Sequence, residues 1–181
     1  MCRAKLFSAG FLAAAISLAS IPQVSSDPVR AESPLELIAR ACPTPERLAL
    51  FLHQYVVFQD DQALFGETDY WQSPEEVLIR GRGDCEDFAL LACDLLNRQG
   101  KQAFIFSLYG EKGYAHTVCV FLEKGLYSVL NQDRLIWCRT GSLEELAGKL
   151  CARWKWGAVA QRYGHRGRAI RLIRRETTRG G

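Results

Sequence analysis

The sequence predicts an α+β domain, with amphipathic helices in the first half and antiparallel strands after them. Three observations carry this. Up to about residue 100 the apolar residues recur at helical spacing, and beyond it they follow a strand-like pattern. The helical segments carry their own start and stop signals. The strand-like segments follow one another closely, with a short Gly-containing turn where it can be read, which suits antiparallel neighbours. Helices followed by a meander, rather than strands alternating with helices, is the α+β order.

Each element has a local reason. Residues 34–40 are a short helix candidate. Thr44-Pro45-Glu46 supplies an N-cap, a first-turn proline and a first-turn acid, and Leu48, Phe51, Leu52, Tyr55 and Val56 place an apolar stripe on a helix over 45–56. Residues 57–72 read as a loop rich in aromatic residues and acids. Ser73-Pro74-Glu75-Glu76 is a capping box that opens a short helix ending at Gly81. The next helix starts at Cys85, continues through Phe88, Leu91, Ala92, Leu95 and Leu96, and stops at Gly100. Strands are expected over 102–109, 114–122 and 126–130, with Glu123-Lys124-Gly125 as a hairpin turn, and a fourth over 134–138. Ser142-Leu143-Glu144-Glu145 opens a helix to about Arg153. From Arg166 the chain is either a last strand or a disordered tail.

The chain has 181 residues, 48% hydrophobic and 24% charged, enough for one well-cored domain and unlike a disordered chain. The net charge of +3 conceals an asymmetry, because residues 162–181 hold seven Arg and one Glu while the body is mildly acidic. The basic segment suits contact with an anionic membrane surface or simple solvation. No reading motif accompanies it, so nucleic-acid binding is disfavoured.

Cys2-Arg3-Ala4-Lys5 followed by an uncharged apolar run from Leu6 to Ala19 and by small residues reads as a secretory signal peptide, with an uncleaved anchor as the competitor. The expected organisation is a leader and linker over 1–31, a catalytic domain over 32–160, and a basic tail or final strand over 161–181. Export would place the protein in the periplasm or outside the cell. Of the seven cysteines, Cys2 lies in the leader. Cys93, among Ala and Leu in mid-helix, reads as a small core hydrophobe. Cys138 and Cys151 could pair in an exported protein, and Cys42 has no assigned partner. The absence of a CxxC motif disfavours structural zinc.

The richest stretch is Gly81-Arg82-Gly83-Asp84-Cys85-Glu86-Asp87-Phe88-Ala89. It sets Cys85 at a helix N-terminus, where unpaired N–H groups and the macrodipole favour a thiolate, the nucleophilic form. The carboxylates of Asp84, Glu86 and Asp87 act against this by raising the thiol pKa. His116 heads the second strand. A strand packed on the Cys85 helix can bring it to the helix N-terminus as general base and acid. The third strand returns beside His116 with Asn131, or with Asp133 just beyond it, either of which could orient the imidazole. The Cys85 backbone N–H is the natural oxyanion donor.

Together with Gly66-Glu67-Thr68-Asp69-Tyr70-Trp71, Ser73-Pro74-Glu75-Glu76, His116-Thr117-Val118 and Val129-Leu130-Asn131, this stretch resembles the bacterial transglutaminase-like cysteine proteinases of the transglutaminase-like, papain-like superfamily. The resemblance covers roughly residues 45–137. It implies a papain/transglutaminase-like α+β fold and a periplasmic protease with a Cys-His-Asp triad. It also implies that calcium is held by acids flanking the nucleophile. Cys85 and His116 carry over directly, whereas Asn131 stands where the family has Asp. Asp84 and Glu86 would be the calcium ligands, with Asp87 or Asp69 as further donors. The plainer role of Asp84, Glu86 and Asp87 is capping and dipole complementation. The substrate would be a protein or peptide at the cell envelope. Acyl transfer to an amine on the same site, a non-catalytic binding module of the same fold, and a redox or structural protein are the competing readings.

Overall fold

A computed structural model describes residues 31–175. The leader expected over 1–31 lies almost wholly outside them, as do residues 176–181. Six helices and eight strands follow in order. They are α1 (Pro34–Ala41), α2 (Pro45–Tyr55), β1 (Val57–Phe58), α3 (Asp61–Phe65), α4 (Pro74–Arg80), β2 (Arg82–Gly83), α5 (Cys85–Arg98), β3 (Ala103–Gly110), β4 (Ala115–Glu123), β5 (Leu126–Asn131), β6 (Arg134–Thr140), α6 (Leu143–Leu150), β7 (Trp154–Tyr163) and β8 (Arg166–Arg174).

The helix starts follow their caps. Thr44 accepts from the Arg47 N–H, and Ser33 and Ser73 each close a capping box with Glu36 and Glu76. Helix α5 is the hub. Phe88, Leu91, Ala92, Leu95 and Leu96 are all buried, and α1, α2 and α4 pack around it. Its other side lies on an antiparallel sheet of order β6-β5-β4-β3-β7-β8. Cys119 and Phe121 of β4, Ile105 of β3 and Leu130 of β5 complete this core. Period-two alternation sends Phe106, Leu108, Val118, Val120 and Val129 to the opposite face, where α6 and Trp154 cover them. The result is three layers: a helical layer, the sheet, and α6.

The β4–β5 hairpin turns at Lys124-Gly125, both at positive φ (53° and 79°) as a type I′ turn requires. Three features depart from the sequence reading. The 57–72 segment is not all loop, since β1 pairs in parallel with β2 and α3 makes one helical turn behind its Asp60 cap. The helix expected to reach Arg153 ends at Leu150. Strand β7 then inserts beside β3, so the sheet runs without a break through the boundary drawn at residue 160, and Arg166–Arg174 is its edge strand.

The β7–β8 hairpin is fastened to the helical layer. The Trp71 N–H donates to the His165 carbonyl (3.0 Å) and Arg162 Nε donates to the Trp71 carbonyl (2.8 Å). The Tyr70 ring stacks on His165 at 4.3 Å, and the Trp71 ring lies directly on Gly167.

Candidate active site

The glycines of the Gly81–Asp87 stretch have separate tasks. Gly81 ends α4 in the left-handed region (φ 65°). Gly83 leaves room for Asp87, whose side-chain atoms would lie 2.4–2.9 Å from a Cβ at that position. Asp87 is fully buried and accepts from the Gln72 N–H (2.8 Å), from Gln72 Nε2 (2.5 Å) and from the Asp84 N–H (3.3 Å). Burial pushes its carboxyl up to about 6, against the lowering effect of the Gln72 donors. Asp87 thus ties the start of α5 to the 69–72 segment.

Cys85 is the first residue of α5, as read from the sequence. Its Sγ–H donates to Glu86 Oε2 at 3.1 Å, and the backbone of Thr117 lies beside its sulfur. The sulfur therefore sits against β4 at the His116–Thr117 peptide. Burial, followed by the charges of Glu86 and Asp84, pushes the thiol pKa far up, and the carboxylates overrule the helix N-terminus.

His116 and Asn131 meet across the β4–β5 ladder. The β4–β5 pairing ends at Cys119 and Leu130, and the next residue of β5, Asn131, reaches back to His116 near the start of β4. His116 Nε2 lies 2.7 Å from Asn131 Oδ1. An amide oxygen only accepts, so Nε2 carries the proton and Nδ1 of the neutral ring is free to accept another. Asp133 is drawn elsewhere, its Oδ2 lying 2.7 Å from His53 Nδ1 on α2. No hydrogen bond joins Cys85 to His116 in this arrangement, because the thiol points to Glu86. Tyr109 and Tyr114 border the site. The Tyr109 ring stacks on Trp156 at 3.7 Å, and the Tyr114 ring is 6.4 Å from that of His116.

The acids converge. Oxygens of Asp61, Asp69 and Glu86 lie within 4.8 Å of one another, as do those of Asp61, Asp84 and Asp87, and Asp84 and Glu86 also reach Cys85 Sγ. Asp84 pairs with Asp87 in a capping box at the head of α5, yet its Oδ1 is buried without a partner. Asp61 Oδ1 is orphaned in the same way. Burial and the Glu86 carboxyl push the Asp84 pKa up to about 9. Orphaned carboxylate oxygens converging in a buried site fit a hard cation. Asp61 was hidden from sequence reasoning inside a presumed loop. The adjacent acids Asp60 and Asp61 divide the work: Asp60 caps α3, and Asp61 turns inward to accept the Tyr70 N–H.

A family model describing the CEP76 peptidase-like domain matches residues 69–152, just under half of the chain. No curated protein matches. Among solved structures, calcium-bound LapG of Legionella pneumophila is 25% identical, the match covering 58% of this chain and 59% of that one at a TM-score of 0.43. An EGTA-treated LapG structure is 21% identical over 70% of this chain and 64% of that one, with a TM-score of 0.43. A protein from Cytophaga hutchinsonii, described as a candidate cysteine protease, is 15% identical over 77% of this chain and 48% of that one, with a TM-score of 0.45. The chain spans less than two thirds of each, and at these scores the superpositions carry no argument of their own. The fold rests on the architecture above and on the family match across β2, α5 and the β3–α6 region. The architecture is an α+β fold, and the part of it from α4 to α6 is similar to a peptidase-like domain.

Proposed function

We propose that the chain is an exported cysteine peptidase that opens a peptide or amide bond through an acyl-enzyme on Cys85. The observation that carries this reading is the His116 Nε2–Asn131 Oδ1 hydrogen bond, at the residue before Thr117, whose backbone lies beside the Cys85 sulfur. Asn131 fixes the tautomer, leaving His116 Nδ1 as the base. In the first half-reaction Cys85 Sγ bonds to the carbonyl carbon and its proton passes to His116. The imidazolium then protonates the departing amine as the C–N bond breaks. Water, deprotonated by His116, releases the acid and restores the thiol. The Cys85 N–H at the head of α5 is aimed to hold the oxyanion.

Asp61, Asp69, Asp84 and Glu86 are the residues that would hold calcium. A cation there would supply the positive charge that offsets the carboxylates beside Cys85 and would free the thiol from Glu86. The leader-like first 31 residues and the peptidase reading together support a protein or peptide substrate at the cell envelope. The exposed arginines of β8 suit an anionic surface there.

The test is the pH dependence of Cys85 alkylation by iodoacetamide, with calcium and with EGTA, using Cys85→Ala as the blank. The expected result with calcium is reaction well below the free-thiol pKa of about 8.5, lost in His116→Ala. Ordinary thiol behaviour in both conditions would overturn the enzyme reading.

A further inference from the structure

Cys93 and Cys119 are the two cysteines of the helix–sheet core. Cys93 lies on the face of α5 that meets the sheet, and Cys119 lies at the middle of β4. Their sulfurs are 2.7 Å apart, 6% and 0% exposed. That is within about 0.7 Å of a formed disulfide at ~2.05 Å. Among the described residues no other pair of cysteines is in sulfur–sulfur contact. Their surroundings are Leu, Ala, Phe and Ile side chains, and neither sulfur has a polar partner except the other. We propose that Cys93 and Cys119 form a disulfide that staples α5 to β4 in an oxidising compartment.

The chemistry is thiol–disulfide exchange. One of the two, as thiolate, attacks a disulfide of an exchange protein or of oxidised glutathione and displaces a thiolate. The second thiolate then attacks the mixed disulfide. Two electrons pass to the disulfide reagent, which leaves as two thiols, and Cys93 and Cys119 give up two protons. Both sulfurs are sealed in the core, so exchange takes place before α5 seats on the sheet. Once formed, the bond is shielded from reductant by the same packing.

The position matters for the site. Cys85 lies eight residues before Cys93 on α5, and His116 lies three residues before Cys119 on β4. The bond would fix the element that carries the nucleophile against the element that carries the base. Cys85 itself takes no part in the bond.

The experiment uses the full chain, recovered from the bacterial periplasm or refolded in a glutathione redox buffer, alkylated under denaturing conditions and digested with trypsin without reduction. Residues 83–98 form one peptide holding both Cys85 and Cys93, and residues 113–124 form another holding Cys119. Mapping is therefore repeated in Cys85→Ala. The expected result is a cross-linked 83–98/113–124 species in both chains. Melting with a phosphine reductant should lower Tm by roughly 10 °C, from the loop closed across 26 residues. The Cys93→Ala/Cys119→Ala chain should melt at the same temperature with and without reductant. Recovery of the two peptides separately, each alkylated, or of Cys119 linked to a different cysteine, would overturn the proposal. The mapping needs only the unsubstituted and Cys85→Ala chains, so it decides the matter even if the double variant fails to fold, and it reads nothing from peptidase activity or calcium.

Discussion

Gly167→Ala tests whether the basic C-terminal segment belongs to the domain. A Cβ at this position would lie 2.2 Å from Trp71 Cζ2 and 2.6 Å from two further indole atoms. No flexible chain end is available to give way, because Trp71 is only 5% exposed and its indole N–H is committed to Asp69 Oδ1 at 2.8 Å. Relief requires moving the indole or the β8 backbone by about an ångström. Overpacking of this kind costs about 1–3 kcal/mol. For a domain of this size that is a Tm loss of roughly 3–10 °C. Gly141→Ala is the control, with open space around its Cβ and no positive φ, so it should melt within about 1 °C of the parent. The clash should vanish when the indole is removed, and Gly167→Ala should cost almost nothing in a Trp71→Ala background. Thermal melts of the five chains, the parent and Trp71→Ala included, suffice. If Gly167→Ala melts with Gly141→Ala, β8 is not docked on the 69–72 segment and the hairpin is only an appendage.

The other predictions concern the site. Asn131→Ala should lower kcat of the proposed peptidase by roughly 10²-fold through loss of imidazole orientation, whereas Asp133→Ala breaks only an exposed pair with His53 and should leave kcat near the parent value; the reverse order in initial-rate measurements would reassign the orienter. Asp87→Ala strands the buried Gln72 backbone N–H and removes one of the two acceptors of its side-chain amide, so a loss of about 2–5 kcal/mol is expected in urea unfolding, and an unchanged midpoint would refute it. In EDTA, stability should fall as pH rises from about 4 to 9. The folded pKa values of Asp87 (about 6) and Asp84 (about 9) lie above the ordinary carboxylate value, so the native state binds more protons than the unfolded chain across that window. Asp87 alone accounts for about 3 kcal/mol by pH 8, and a Tm that rises with pH would contradict this.

Most of the helical layer could be read from local signals. Ser33, Thr44 and Ser73 cap where such residues should, and Gly81 stops α4 because only a left-handed residue continues there. The meander from Ala103 to Thr140 was legible because its alternation is clean and Lys124-Gly125 sets the turn. Strand β7 was not. Its core-facing run is Gly157-Ala158-Val159-Ala160, too small to look like a strand, and it is small because the Phe106 ring occupies the place of any Cβ on Gly157. Without β7, the arginine-rich residues after it had no sheet to join and read as a tail. In the site, Cys85, His116 and Asn131 were visible because each sits at a recognisable boundary of an element. Asp61 was not, because its role depends on the 69–72 segment folding back on α5, a contact set by Asp87, Gln72 and Trp71 rather than by anything within four residues of it.

The carboxylates around Cys85 make sense only as a group. One acid at the head of a helix is a cap, but here Asp84 also keeps one oxygen buried without a partner, Glu86 takes the thiol proton's hydrogen bond, and Asp61 closes in from a separate element with one oxygen unsatisfied. Two buried carboxylate oxygens without donors, packed near the partly buried Cys85 sulfur, oppose both stability and nucleophilicity at neutral pH. The cost is tolerable if positive charge completes the cluster, and the same charge would turn the Cys85 thiol away from Glu86 toward the free Nδ1 of His116. The acids would then act as a condition on activity rather than as scaffolding, holding the cysteine as a thiol until a cation binds.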